Sequence, residues 1–309
     1  MPVSPAVVSR LALANAVANG LIVVTGGAVR LTGSGLGCPT WPRCTTASFV
    51  ATPELAGHGV IEFGNRLLTF VLTAVAVATV VAVWRSARRD LRRLALLTFL
   101  GIPAQALLGG ITVLTGLNPW TVAAHFLLSM VLVALATVLW LRSREPGVDQ
   151  PLVRRPLALL TVGIAAVTAA VLVLGTVVTG SGPHSGDLDD AGVPTGDRIG
   201  FDPETVGQLH ADVVFLLVGL TIALLVALSA TDAPGRLRRA ARDLLVVQLV
   251  QGLVGFVQYF SDLPIALVLV HMLGAVLIAA YTARLVWAVR GPATDLPVSA
   301  ASERAAATR

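Results

Sequence analysis

The chain has 309 residues, 55% of them hydrophobic and only 13% charged, with a formal net charge of +5. A soluble domain carries about a quarter charged residues, so this composition excludes an ordinary soluble fold. Every basic residue is arginine, and none sits on a basic face interleaved with aromatic rings, which removes a nucleic-acid partner from consideration.

Apolar runs long enough to cross a bilayer recur along the chain. Eight are predicted, at roughly 9–30, 60–84, 94–114, 120–141, 156–179, 205–229, 243–260 and 264–289. Ten-residue segments of alternating polarity are missing, which argues against a β-barrel. The first run lacks a small-residue cleavage site, so it reads as a retained helix rather than a removed signal peptide. Arginines crowd the connections after the second, fourth and sixth runs: Arg85, Arg88, Arg89, Arg92 and Arg93; Arg142, Arg144, Arg154 and Arg155; Arg236, Arg238, Arg239 and Arg242. The other connections hold only Arg30, Arg43 and Arg198. The positive-inside rule then puts both termini in the cytoplasm. The expected fold is an all-α membrane protein of eight transmembrane helices.

The loop after the first helix reads TGSGLGCPTWPRC and holds both cysteines, Cys38 and Cys44. An extracytoplasmic, oxidising loop favours a disulfide; the rival is a metal site, for which two thiols without a nearby histidine are a poor set. The second helix opens with HGVIEFGNRLLTF, which puts His58, Glu62, Asn65 and Arg66 on one broad face. Two readings compete there. One is a functional site, since charge inside an apolar span is costly and usually faces protein. The other is a structural Glu62–Arg66 pair one turn apart. Further on, His125, His210 and His271 each lie about six or seven residues into the fourth, sixth and eighth helices, and an acidic loop with Asp187, Asp189, Asp190, Asp197 and Asp202 precedes the sixth. The polar, Ala-rich tail is expected to be disordered.

The halves repeat. TGSG recurs at 32–35 and 179–182; Gln105 and His125 correspond to Gln251 and His271, Pro119 to Pro264 and Asn65 to His210, all at offsets of 145–147 residues. This is the signature of a duplicated four-helix unit. An even helix number gives the copies one orientation, related by an axis along the membrane normal. The organisation is therefore residues 1–145, residues 146–290 and a tail, 291–309. Asn65, His125, His210 and His271 share a depth of roughly 9 Å below the outer helix ends. A facing histidine pair in a four-helix bundle suits axial coordination of a haem iron. The plainer alternative for each histidine is an interhelical hydrogen bond.

With these residues in hand, the chain resembles the heme A synthase family over residues 10–290, through TGSGLGCPTWPRC, IEFGNRLLTF, the AAH of helix 4, TGSGPHSGD, the QLH of helix 6 and the LVH of helix 8. The resemblance implies two four-helix bundles that oxidise the C8 methyl of heme O to the formyl of heme A for cytochrome oxidase. It implies heme b as cofactor in the second bundle on His210 and His271. Substrate heme would occupy the first, with Glu62 as the functional carboxylate and His125 as a ligand. Cys38 and Cys44 match the family's paired-cysteine loop; Pro183 to Asp187 stand where some members carry a second pair. The implied partners are heme O synthase, cytochrome oxidase assembly factors and the lipid bilayer. A bacterial plasma membrane is expected, since no transit peptide precedes the first helix.

One departure stands out. The family commonly has Glu-x-x-His-Arg where this chain has Glu62, Asn65 and Arg66. An amide is a poor ligand for haem iron, so His125 would hold the substrate alone, or His58 would replace Asn65 from about 10 Å nearer the outside. Arg66 has two expected partners, a haem propionate or Glu62. Two other classes compete: a non-enzymatic b-type cytochrome exchanging electrons with quinone, which needs histidine pairs in both halves, and a repeat-built transporter, which needs broken helices at mid-membrane.

Overall fold

The computed structural model describes residues 3–145, 150–184, 186–187, 195–231 and 233–291. Eight long helices account for most of them: α1 Pro5–Leu31, α2 Ala56–Trp84, α3 Arg92–Leu114, α4 Pro119–Arg144, α5 Arg155–Ser181, α6 Pro203–Ser229, α7 Gly235–Phe260 and α8 Ile265–Ala288. All eight are long and apolar enough to cross a membrane. Their starts follow local chemistry. Proline occupies the first turn of α1, α4, α5 and α6, where its missing N–H is not needed. Asn118 and Asp202 cap α4 and α6 by accepting from the Trp120 and Thr205 amides at 3.0 and 2.8 Å.

Helix ends depart from the hydropathy reading. α1 starts at Pro5, before the expected residue 9, and α7 starts at Gly235, well before residue 243. Hydropathy marks the stretch that suits lipid, whereas backbone bonding continues into the arginine-rich turns beyond it. Strands β1 Gln150–Pro151 and β2 Arg290–Gly291 pair antiparallel, so Gly291, placed in the tail by sequence, belongs to a strand. The remainder of the expected tail, and Asp189 and Asp190 of the acidic loop, lie outside the described residues.

Helices α1 to α4 pack each on the next, and α4 closes on α1; α5 to α8 do the same, with α8 on α5. The two groups meet through α4 on α8, flanked by α1 on α8 and α4 on α5. Small residues allow the approach: Gly20 faces Val276, Gly27 faces Met272, and Val23, Met130, Val133, Val276 and Ala279 form an apolar cluster across the seam. Other large clusters lie toward the arginine-rich end, around Val8, Val83, Leu91 and Leu139 in one group and Leu224, Leu228, Leu237 and Leu285 in the other. The opposite end is left to polar side chains.

There the loops cross between groups. The Gly35 amide donates to the Gly186 carbonyl at 2.8 Å beside a bridge between Ser34 and Asp187. Leu117, at a φ of 59°, lays its side chain over Gly35 and Gly186. Cys38 and Cys44 are joined in a disulfide, and both are fully buried. Between them Trp41 lies flat on Gly110 of α3, its indole 2.4 Å from where a Cβ would stand. Gly163 of α5 has nothing within 4 Å of the same position. Gly110→Ala should displace Trp41 and cost about 1–3 kcal/mol, as overpacking does, while Gly163→Ala should not lower stability. Thermal unfolding in detergent checks this; equal midpoints would show that the loop does not rest on α3 as described.

Candidate functional site

Glu62 is 6% exposed and lies nearly two turns into α2. Its Oε2 accepts from the Cys38 amide at 2.5 Å, and its Oε1 accepts from Arg66 Nε and Nη2 at 3.1 and 2.5 Å. Arg66 also donates to the carbonyls of Cys38, Thr40 and Arg43 at 3.0–3.2 Å. All three guanidinium nitrogens are engaged, so Arg66 pairs with Glu62 and the disulfide loop and holds no donor in reserve for a propionate. The two sequence readings of this pair merge: it is structural, and it fixes a buried carboxylate against a disulfide.

Asn65 lies beside α1, its Oδ1 accepting from Thr25 Oγ1 at 2.7 Å and its Nδ2 3.8 Å from the Cβ position of Gly26. His58 is exposed, with Nδ1 hydrogen-bonded to Ser34 Oγ at 2.8 Å. That contact ties it to the loop after α1.

His125, His210 and His271 share one environment. Each ring sets its Cε1 edge on a glycine of the preceding helix: Gly109, Gly175 and Gly255, at 3.0, 3.3 and 3.3 Å from the Cβ position. Each has a buried Nδ1 that makes no well-aligned hydrogen bond, with the Val171 backbone within reach of His210, although buried polar atoms are normally satisfied. His210 and His271 stand within electrostatic reach of one another. A cradle that a methyl would fill and imidazoles left unsatisfied fit a pair of axial ligands to a macrocycle better than a pair of packed core histidines. Among the described residues there is no cluster of three or more His, Cys, Asp or Glu suited to a metal ion.

Sequence marked Gln105 and Gln251 as repeat landmarks without giving them work. Gln105 Nε2 donates to the His125 carbonyl at 3.0 Å and also reaches Ser129. Gln251 Nε2 donates to the His271 carbonyl at 2.8 Å and lies across Gly274. The shared spacing of twenty residues was the signal: each glutamine clamps the turn that bears its histidine. Asp202, the cap of the His210 helix, is held below the usual carboxylate range by hydrogen bonds from Thr205. A depressed carboxyl stabilises above its ordinary pKa, so this cap holds at neutral pH and fails only as pH drops below the ordinary value.

Fold and site together define a multi-pass helical membrane protein that keeps imidazoles, glutamines and a buried, arginine-paired carboxylate within its spans. The family model of the cytochrome oxidase assembly protein COX15-CtaA matches residues 9–184, and the chain belongs to that family. It is similar to a heme A synthase of Bacillus pumilus, 38% identical over 126 residues, 39% of each chain. Another heme A synthase, from Lysinibacillus sphaericus, is 30% identical over 166 residues, 51% of this chain and 53% of that one. A third, from Listeria monocytogenes, is 33% identical over 122 residues, 38% of this chain and 40% of that one. The matched stretch thus spans between about two fifths and half of these relatives' lengths.

Removing one partner of a buried pair leaves an uncompensated charge. Arg66→Ala should therefore destabilise the protein by about 3–5 kcal/mol, whereas Arg242→Ala, whose side chain is 66% exposed, should change stability by less than about 0.5 kcal/mol. Thermal unfolding of the two purified variants in one detergent makes the comparison; similar losses would deny the Glu62–Arg66 clamp its structural weight.

Proposed function

We propose that this protein is a heme A synthase, which oxidises the C8 methyl of heme O to a formyl group and so supplies heme A for cytochrome oxidase maturation. The observation that carries this reading is the seating of three histidines on glycines with their Nδ1 atoms unsatisfied. Two lie in the second bundle, within reach of each other; one lies in the first, where Asn65 takes the fourth place. That inequality suits one bundle that keeps a haem and another that admits and releases one. Family membership and the named relatives support it.

In this reading residues 1–145 form the substrate bundle and residues 146–290 the cofactor bundle. Residues 146–149 at their junction lie outside the described stretch. His210 and His271 hold heme b through their imidazoles, and bound there it supplies one-electron redox chemistry. Gln251 and the Asp202 cap fix the helices that carry the two ligands. In the first bundle His125 binds the substrate iron and Gln105 holds its turn. Asn65, engaged with Thr25, leaves the opposite face of the iron without a protein ligand. His58, in the first turn of α2, is bonded to Ser34 and ties that turn to the loop after α1.

Glu62 is the group for proton work. Its carboxylate is buried, held from three directions by Cys38 and Arg66, and so cannot turn to water. A fixed, desolvated carboxylate can accept a proton from the substrate methyl or stabilise positive charge building at that carbon. The disulfide loop sets its position. The protein sits in a bacterial plasma membrane with both termini in the cytoplasm, and heme O synthase and oxidase assembly factors are its partners.

Extracting the pigments of the purified protein tests the reading. Heme O or heme A beside heme b is expected; heme b alone would favour an electron-carrying cytochrome, and no haem at all would remove both. Glu62→Ala should preserve the heme b spectrum and lower heme A formation by at least about a hundredfold, the scale of general acid–base catalysis. Unchanged heme A accumulation would strip Glu62 of its role.

A further inference from the structure

Arg30 ends α1 beside the crossing loops, and the described residues offer it no acid. Its Nε and Nη2 both donate to one acceptor, the His184 carbonyl, at 3.1 and 2.8 Å. A guanidinium has five N–H groups, so three remain. Arg198 lies within electrostatic reach of both Arg30 and His184, and its Nη2 is buried with no partner. Arg198 is fixed there because its neighbour Ile199 donates to the Gly180 carbonyl at 3.0 Å and packs on Gly180 at the end of α5. Among the described residues neither arginine makes an ion pair, whereas Arg66, Arg88, Arg142, Arg236 and Arg284 each meet a carboxylate. Burial, with both arginines beside it, holds the His184 imidazole below its ordinary range, so it adds a single N–H donor rather than a third charge. Two unneutralised guanidiniums side by side repel, and a buried unsatisfied donor costs stability. The arrangement is complete only with an anion between them.

The place of the gap says which anion. Arg30 is one turn beyond Gly26 on the same face of α1, and Gly26 sits beside Asn65. The arginine therefore stands about 6 Å outward of the Asn65 level. A porphyrin held at that level has only its propionates as anions. We infer that Arg30 and Arg198 form a two-guanidinium anchor, shared between the two halves, for a carboxylate of the porphyrin taken into the first bundle. This rests on the reading of that bundle as a porphyrin site. The paired forks suit a carboxylate, which takes two parallel N–H bonds from each planar group it meets. Since Arg66 is saturated by Glu62 and the disulfide loop, the anchor falls to this second pair.

The test is a titration of the purified holoprotein, carrying its resident haem, with iron protoporphyrin IX and with its dimethyl ester, followed by Soret difference spectra. The wild type should bind the free acid about tenfold or more tightly than the ester. Arg198→Gln removes a group without a hydrogen-bond partner among the described residues, so it should fold and unfold like the wild type by size exclusion and thermal scan, yet lose most of the acid-over-ester preference with ester affinity unchanged. Arg30→Lys, which keeps the charge and loses the fork, should narrow the preference as well. If the wild type binds acid and ester alike, or Arg198→Gln keeps the full preference, the anchor is refuted while the porphyrin pocket stands. Failure of the wild type to bind either compound overturns the pocket and the anchor together.

Discussion

A polar group inside an apolar span must find its partner within the protein, because the surrounding hydrocarbon offers none. Most of this fold obeys. Threonines bond back to their own helices, Asn19 donates to Asn15 and Asn15 to Thr98, and Gln248 donates to Thr221. Exceptions are few, and the Nδ1 atoms of His125, His210 and His271 and the Oε1 of Gln105 are among them. His125 and His271 hold equivalent places in the sequence repeat, and the three histidines share one kind of seat on a glycine of the preceding helix. Glycine at 109, 175 and 255 is what makes the pattern sterically possible, since any side chain there would push the ring aside.

The duplicated scaffold also shows where the copies parted. At the repeat offset of 145, Gly207 stands for Glu62 and Ala211 for Arg66, while His210 stands for Asn65. One copy has two histidines and, on the same helix as His210, an exposed Asp212 bonded to Gln208; the other has one histidine, an amide occupied by Thr25, and a buried carboxylate locked to a disulfide loop. A second imidazole makes a permanent, symmetric seat. A carboxylate beside a pocket with a single imidazole makes a place where a bound molecule can be acted on and let go. Under the proposed function, the difference between the two bundles would rest largely on three positions of one helical turn.

Much of this was legible from residue order because membrane helices announce themselves by composition, and because the repeat gives each landmark a twin. The ends were less legible. Gly235 to Arg242 is arginine-rich and still helical, because its arginines face outward while Leu237, Ala240 and Ala241 pack into the core. The strand pair at Gln150 and Gly291 joins residues far apart in sequence, which no local pattern reports. The Glu62–Arg66 pair was visible at its spacing of four, but its other partners were not. The Cys38 amide and the carbonyls of Cys38, Thr40 and Arg43 are backbone groups, and their position depends on how the loop folds, not on which side chains it carries. For the same reason the bonds from Gln105 and Gln251 to histidine carbonyls lay hidden, although the glutamines themselves did not.

The way the halves are joined bears on what kind of machine this can be. At one end the loops interlock through Gly35 and Gly186 and through Arg30 and His184. At the arginine-rich end Glu145, just past α4, accepts from Arg236 of α7 at 2.7 Å and from the Trp287 indole of α8 at 3.1 Å. Between these pins the seam is close packing of small and branched side chains. A repeat-built transporter works by rocking one repeat against the other, which would have to break polar contacts at both ends at once and shear the packing between. A protein whose two bundles must stay in fixed register has the opposite requirement. Pinning both ends meets it, and it keeps the carboxylate of one bundle at a constant distance from the histidine pair of the other.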